Sequence, residues 1–519
     1  MRRRSLALFG AVALAWGCGG GSEAAPVVEQ TTGLPAHLWK DVTAETIGET
    51  SDWSNKVELA DLNGDGLVDL LFANGGNYRE PGEPTLSRVF LNQGPGKMFV
   101  DATEQVFGTE PMLCRVVKAA DVNGDGAIDV FFGATYQGQS RLMLGDGKGG
   151  FENVSGTNLP KHTLSLGDAE FGDADLDGDL DLVLVDWGAD NPMKNDGGVV
   201  LLWLNDGKGK FTPAPAGAVP DKKVRFSWDI EFADVDNDFD LDLMVSSKMS
   251  EGGSLYINDG KGKFIDETEG KMPQLTNNYE YEPIDLNGDG YLDTFTINDG
   301  GIVGEKRGMR KESVFFGRPD GGFDVVTDEA FPESENLGYD DNRIMAFDYD
   351  SDGDVDILIG SLSGPDRLAI NDGTGHFTVA TEVVDGPETK GTLCIQAADL
   401  NGDDRLDLVM AQGEVKGHEA EKVYFGTENL PKSTSAPKIV SAALGADGCV
   451  NARIHANNSP TRPFDFESIT LEADGGAAQP MSWYGEHLWR ACPASAKSFT
   501  IHAVAANGAK TDQTFAGSN

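Results

Sequence analysis

Seven times between residues 61 and 407 the chain sets oxygen-bearing side chains at positions 1, 3, 5 and 9 of a short stretch, in the form D-x-[DN]-x-D-x-x-x-D. The first is "DLNGDGLVD", with Asp61, Asn63, Asp65 and Asp69, and the second repeats it with Asp121, Asn123, Asp125 and Asp129. Asp173, Asp175, Asp177 and Asp181 form the third, and Asp234, Asp236, Asp238 and Asp242 the fourth. The fifth holds Asp285, Asn287, Asp289 and Asp293, and the sixth Asp348, Asp350, Asp352 and Asp356. The seventh holds Asp399, Asn401, Asp403 and Asp407. Hard cations suit such groups, because Ca²⁺ takes about six to eight oxygens in a flexible geometry. Carboxylates at positions 1, 3 and 5 converge only if the backbone turns sharply. Gly at position 6 allows that turn in five copies. Up to seven Ca²⁺ sites are therefore expected, weaker in the fourth and seventh copies, where Phe239 and Asp404 replace the Gly. A purely solvated turn is disfavoured, since carboxylates this close repel one another without a counter-ion.

Strands must position these loops. An EF-hand starts in the same way but needs flanking helices and a Glu at position 12; here that position is Phe72, and both flanks alternate like strands. The copies recur at intervals of 60, 52, 61, 51, 63 and 51 residues, a spacing typical of propellers and solenoids. Each is followed by an apolar run and, in all but the last, by a strand, Gly-rich turn and strand such as "VFLNQGPGKMFVDAT" (89–103) or "SLYINDGKGKFIDET" (254–268). Seven units of four strands give a ring. The last unit lacks its fourth strand, and "LWKDVTAETIG" (38–48) matches what is missing. A strand from the N-terminal end would then close the ring and remove its free edge.

These loops and hairpins resemble the FG-GAP/VCBS repeats of integrin α-subunit propellers and their bacterial relatives, over residues 37–431. The resemblance implies an all-β fold, a seven-bladed β-propeller with a calcium loop in each blade. It does not fix an activity, because such propellers serve adhesion, carbohydrate binding and, beside companion domains, lysis of polysaccharides.

At the N-terminus "MRRR" precedes the apolar "LALFGAVALA", a core too short for a permanent span. The following "AWGC" resembles the lipobox of bacterial lipoproteins, which implies a signal peptide over 1–18, lipidation at Cys18 and a flexible tether over 19–36. The expectation is an exported lipoprotein of the outer membrane or cell surface, touching the membrane through its lipid alone. Residues 432–436 read as a linker, and 437–519 as a small immunoglobulin-like β-sandwich of about six strands. Cys449 and Cys492 within it are expected to pair. Cys114 and Cys394 lie in units that are not neighbours and are expected to stay apart.

Acidic residues outnumber basic ones 85 to 41, for a net charge of −44, which excludes a nucleic-acid partner needing Lys and Arg stripes. The 24 Asp of the loops account for much of that charge. No G-x-S-x-G, H-E-x-x-H, P-loop or C-x-x-C is present. The chain reads as no enzyme but a calcium-binding surface module for a glycan or protein ligand. The alternatives are a polysaccharide lyase or hydrolase using the ring as scaffold, and a structural envelope component. Trp187, Trp228 and Tyr281 are candidate ligand contacts on the face opposite the loops. The strands leading into the loops carry polar residues on alternate positions, among them Glu170, Glu231 and Glu282. Those three are expected either to line a wet channel with ion pairs or to hold a cation there.

Overall fold

The computed structural model describes residues 33–517, apart from positions 98, 250–251, 300–309, 387–388, 418, 457–461 and 495. Cys18 and tether residues 19–32 lie outside the described residues. The structure is all-β, mostly in sheets of four strands.

The first sheet shows how sequence pattern becomes architecture. Strand Ser54–Ala60 is buried along its whole length. It turns through the first acidic loop into Asp69–Asn74, with Ala60 opposite Asp69. Val89–Leu91 and Val100–Asp101 follow outward in simple antiparallel order. Burial falls along that order, and Val100 in the outermost strand is exposed. The next sheets repeat the plan from their own first strands: Cys114–Ala120, Leu166–Gly172, Ile230–Ala233, Asn278–Ile284, Asp341–Phe347 and Thr392–Ala398. Each first strand lies against the first strand of the next sheet, and Thr392–Ala398 lies against Ser54–Ala60. The result is a propeller-like ring, with apolar clusters between neighbouring sheets.

Closure of the last sheet uses chain from the other end. Trp39–Asp41 pairs antiparallel with Lys422–Gly426, Trp39 opposite Gly426, and Val384–Asp385 lies parallel outside it. The Trp39 indole N–H donates to the carbonyl of Leu406, which locks the added strand to the loop side of the sheet. Alternation did not reveal the four-residue helical turns that follow several outer strands, such as Thr103–Val106 and Thr327–Ala330. Their first Thr hydroxyl accepts the N–H of the third strand, Val89 and Val314 respectively. The turn thus covers the sheet edge.

Among the described residues beyond 437 there are eight strands rather than about six, in two four-stranded sheets around one apolar core. Cys449 and Cys492 are disulfide-bonded. The bond joins the ends of two neighbouring strands of one sheet, beyond the paired Val450 and Ala491. It does not bridge the two sheets as an immunoglobulin disulfide does. Cys114 and Cys394 are buried and free.

The sandwich is docked on the face of the ring that carries the acidic loops. Asp173 N–H donates to the Tyr484 carbonyl at 2.8 Å, and the Tyr484 hydroxyl to the Phe239 carbonyl at 2.8 Å. Gly485 makes the approach possible: its φ is +140° and a Cβ there would meet Leu241 at 2.6 Å. The expected linker is not free chain either. Ser435 donates to Asp348 at 2.7 Å and Lys432 pairs with Asp404 at 2.8 Å, so the segment lies along the sixth and seventh loops. Among the described residues no helix is long and apolar enough to cross a membrane.

Candidate functional site

Each acidic loop is built by its own side chains. The Asp61 carboxylate accepts N–H bonds from Gly64, Asp65 and Gly66, and Asp65 accepts that of Leu67. Position 9 reaches further. Asp69 accepts the N–H of Leu62 at the loop's start and that of Asn92 just past the third strand. Asp129, Asp181, Asp242, Asp293, Asp356 and Asp407 do the same in their own sheets. This residue therefore pins the loop to the sheet as well as offering oxygen to its centre.

The donor set fits a divalent metal. In the third, fourth and sixth loops the positions 1, 3 and 9 carboxylates (Asp173, Asp175 and Asp181; Asp234, Asp236 and Asp242; Asp348, Asp350 and Asp356) bring oxygens within 4.8 Å of one another. The first, second, fifth and seventh loops carry Asn at position 3. Burial raises the position 9 acids, with neighbouring loop Asp adding repulsion: to about 7 for Asp69 and Asp129, about 8 for Asp181 and Asp293, and about 9 for Asp356. Carboxylates raised by burial and mutual repulsion need a cation or a proton beside them.

The fourth loop already has a cation. Arg453 of the sandwich lies 2.9 Å from the Asp234 carboxylate, both almost fully buried, and also donates to the Asp234 carbonyl. Asp234 converges with its neighbours as a metal would require, yet the guanidinium holds one of its oxygens. A metal would have to compete with Arg453 there. Arg453→Ala should therefore raise the metal affinity of the fourth loop at least tenfold; titration calorimetry showing no change would mean that Arg453 does not block it.

Behind the loops, the polar residues of the first strands meet at the ring centre and are buried. Lys56 pairs with Asp168 at 2.9 Å and lies 3.8 Å from Asp229. Arg343 contacts Asp229 at 2.8 Å, Glu231 at 3.8 Å, and Glu280. Lys118 pairs with Glu170, and Arg462 from the sandwich with Glu58. The expectation of a cation held by Glu170, Glu231 and Glu282 is corrected in part: Lys118 occupies Glu170 and Arg343 flanks Glu231. Glu282 is buried among them. Desolvation raises Glu231 well above the ordinary range, with repulsion from Asp229 and Glu486 next. Ion pairs, not an open ligand ring, fill the centre.

An FG-GAP-like repeat model matches residues 61–132, 121–184, 188–245, 234–296, 285–359 and 348–410. The chain belongs to the FG-GAP-like repeat family. No curated protein matches it. Among solved structures, the V. cholerae biofilm matrix protein Bap1 is 14% identical with a TM-score of 0.41, the match covering 88% of this chain and 98% of that one. A protein provisionally described as a gluconolactonase is 11% identical with a TM-score of 0.34, covering 75% and 92%. These likenesses are weak, and neither protein's activity or ligand transfers to this chain.

On the face of the FG-GAP ring opposite the acidic loops, the aromatic candidates are corrected outright. Trp187, Trp228 and Tyr281 are all buried, at 1%, 2% and 0% exposure. Two cations explain the first two. The Trp187 and Trp228 rings stack at 6.1 Å, with Arg115 4.9 and 4.1 Å from their centroids. Lys248 lies 5.1 Å from Trp228 and 3.7 Å from Tyr279. Tyr281 packs between the fourth and fifth FG-GAP sheets with Met244 and Leu255. Buried cations need partners, and here the aromatic faces supply part of that compensation. Residues missed from sequence include Arg115, Lys248, Arg453, Arg462 and Glu486. Only Arg115, one residue before the polar strand series, left any signal there.

Proposed function

We propose that this chain is a seven-bladed β-propeller whose acidic loops hold Ca²⁺, acting as a binding or adhesion module at the cell surface for a glycan or protein. Convergence of the carboxylates in the third, fourth and sixth loops, within a sequence pattern repeated in register through the FG-GAP sheets, is the observation that carries the reading. With Ca²⁺ bound, the loops become rigid posts under the docked sandwich, and a rigid rim suits recognition better than a mobile one. Ca²⁺ is favoured over Mg²⁺ because the donors are numerous, all oxygen and mounted on flexible turns. Up to seven sites follow from the sequence, with the fourth weakened by Arg453 and the seventh by Lys432 on Asp404. Export with lipidation at Cys18 would place the module on the outer membrane or cell surface, and no catalytic step is assigned to it.

Labelled protein should be retained on glycan- or protein-coated surfaces, or on whole cells, in millimolar Ca²⁺ and released by chelator. No retention on any such surface, in either condition, sinks the binding reading.

A further inference from the structure

We infer that the cleft between the first three acidic loops and the C-terminal sandwich binds a neutral saccharide, with a sugar ring stacked on Trp483 and its hydroxyls bonded to Glu486. The inference deepens the binding role proposed above and rests on it.

The cleft has a volume of about 410 Å³, within the range of small-molecule sites. Its two sides differ in chemistry. The sandwich contributes Trp483, Trp489 and Phe464, and the ring contributes Ile128 and Leu180. Trp483 is half-buried, and its indole N–H donates to the Glu486 carbonyl at 2.9 Å. The ring is thus fixed in orientation before anything binds. A fixed, half-buried indole at the cleft wall suits the C–H face of a sugar, because large rigid aromatics give contact area at low entropic cost.

The floor is polar but largely neutralised. Lys118 pairs with Glu170 and Arg462 with Glu58. Glu486 is different: it is 6% exposed, and no hydrogen bond from its carboxyl to another described residue is formed. Burial holds that carboxyl well above the ordinary range, with repulsion from Glu170 and Glu282 next. A carboxyl with accepting oxygens free can take hydrogen bonds from sugar hydroxyls.

Charge selects the class of sugar. Asp179, outside the four ligand positions of its loop, stands at the rim, and the protein as a whole carries −44. A uronate or sulfated sugar would meet like charge there. A neutral ring with one apolar face matches both sides of the cleft.

Titration calorimetry and tryptophan fluorescence on the calcium-loaded full chain test this, with cellobiose, maltotriose, mannobiose and N-acetylchitobiose as neutral probes and digalacturonate as the charged one. At least one neutral probe should bind, and digalacturonate should not. Trp483→Ala should weaken binding tenfold or more. Trp483 also packs against the sandwich core, so Ser482→Tyr serves as a second variant: Ser482 is exposed and lines the cleft. It should block binding while leaving the melting curve in place. Absence of binding by every neutral probe, preference for digalacturonate, or binding untouched by Ser482→Tyr overturns the inference. Surface retention that survives Ser482→Tyr would leave the binding role standing at another site, whereas loss of all retention by the parent would remove both.

Discussion

Chelating divalent metal should lower the melting temperature of the protein by on the order of 10 °C or more, since a site saturated at a hundred times its Kd contributes about 2.7 kcal/mol and several sites act together. The loops explain why the effect is large. Each carries four oxygen side chains within nine residues, and the position 9 acid of each is buried in its sheet. Without metal those acids must take up protons or repel their neighbours. Scanning calorimetry with and without chelator measures the shift. The same experiment ranks the loops. Asp61→Ala and Asp399→Ala each remove equivalent backbone hydrogen bonds. Asp61→Ala should cost more in Ca²⁺, because the seventh loop has Asp404 in place of Gly and Lys432 beside it. The two should become alike in chelator. A melting curve that chelator leaves unmoved would mean the hydrogen bonds alone hold the loops.

The contrast between loops and aromatics shows what a sequence carries. Asp61 to Asp69 set their four oxygen side chains within nine residues, so spacing alone encodes most of the loop geometry, and the pattern recurs seven times. The strand at Trp39 was legible because an outer strand was missing from the last unit. Trp187 and Trp228 were placed on an open face because strand-end aromatics with polar neighbours look alike whether exposed or buried. Their true partners, Arg115 and Lys248, come from other sheets and are set by ring closure. The same holds for Arg453, Arg462 and Glu486. Arg462 and Glu486 lie outside the sandwich strands, where alternation says nothing, and their roles arise only when Gly485 lets that domain settle on Leu241. Nor could spacing tell that Cys449 and Cys492 staple one sheet rather than two.

Arg343→Met should destabilise the protein by about 3–5 kcal/mol, the range found when one partner of a buried ion pair is removed. Arg343 is the hub of the ring centre, reaching carboxylates from two neighbouring first strands: Asp229 and Glu231 on one, Glu280 on the other. Asp229 and Glu280 are buried at 1% and 0% exposure, so neither can turn to water when the guanidinium goes. An exposed pair provides the control: Lys432→Ala, opposite Asp404, should cost no more than about 1 kcal/mol. The deficit should also depend on pH with a definite sign. Burial holds Glu280 well above its ordinary range even with Arg343 beside it, and losing that cation raises it further. The native variant then binds protons that the unfolded chain does not, so its stability relative to the parent improves as pH falls. The unfolded chain is the same in both, so the deficit is full above the variant's folded value and shrinks as pH falls toward the parent's folded value, below which it changes no further. Arg343→Lys should recover part of the loss at every pH, since it restores charge but not the fork that spans two strands. Chemical denaturation of parent and both variants between pH 5 and about 8, where most folded domains remain stable, reads all of this. A deficit under about 1 kcal/mol, or one that widens on acidification, would show that the ring centre is wet enough to solvate its own carboxylates.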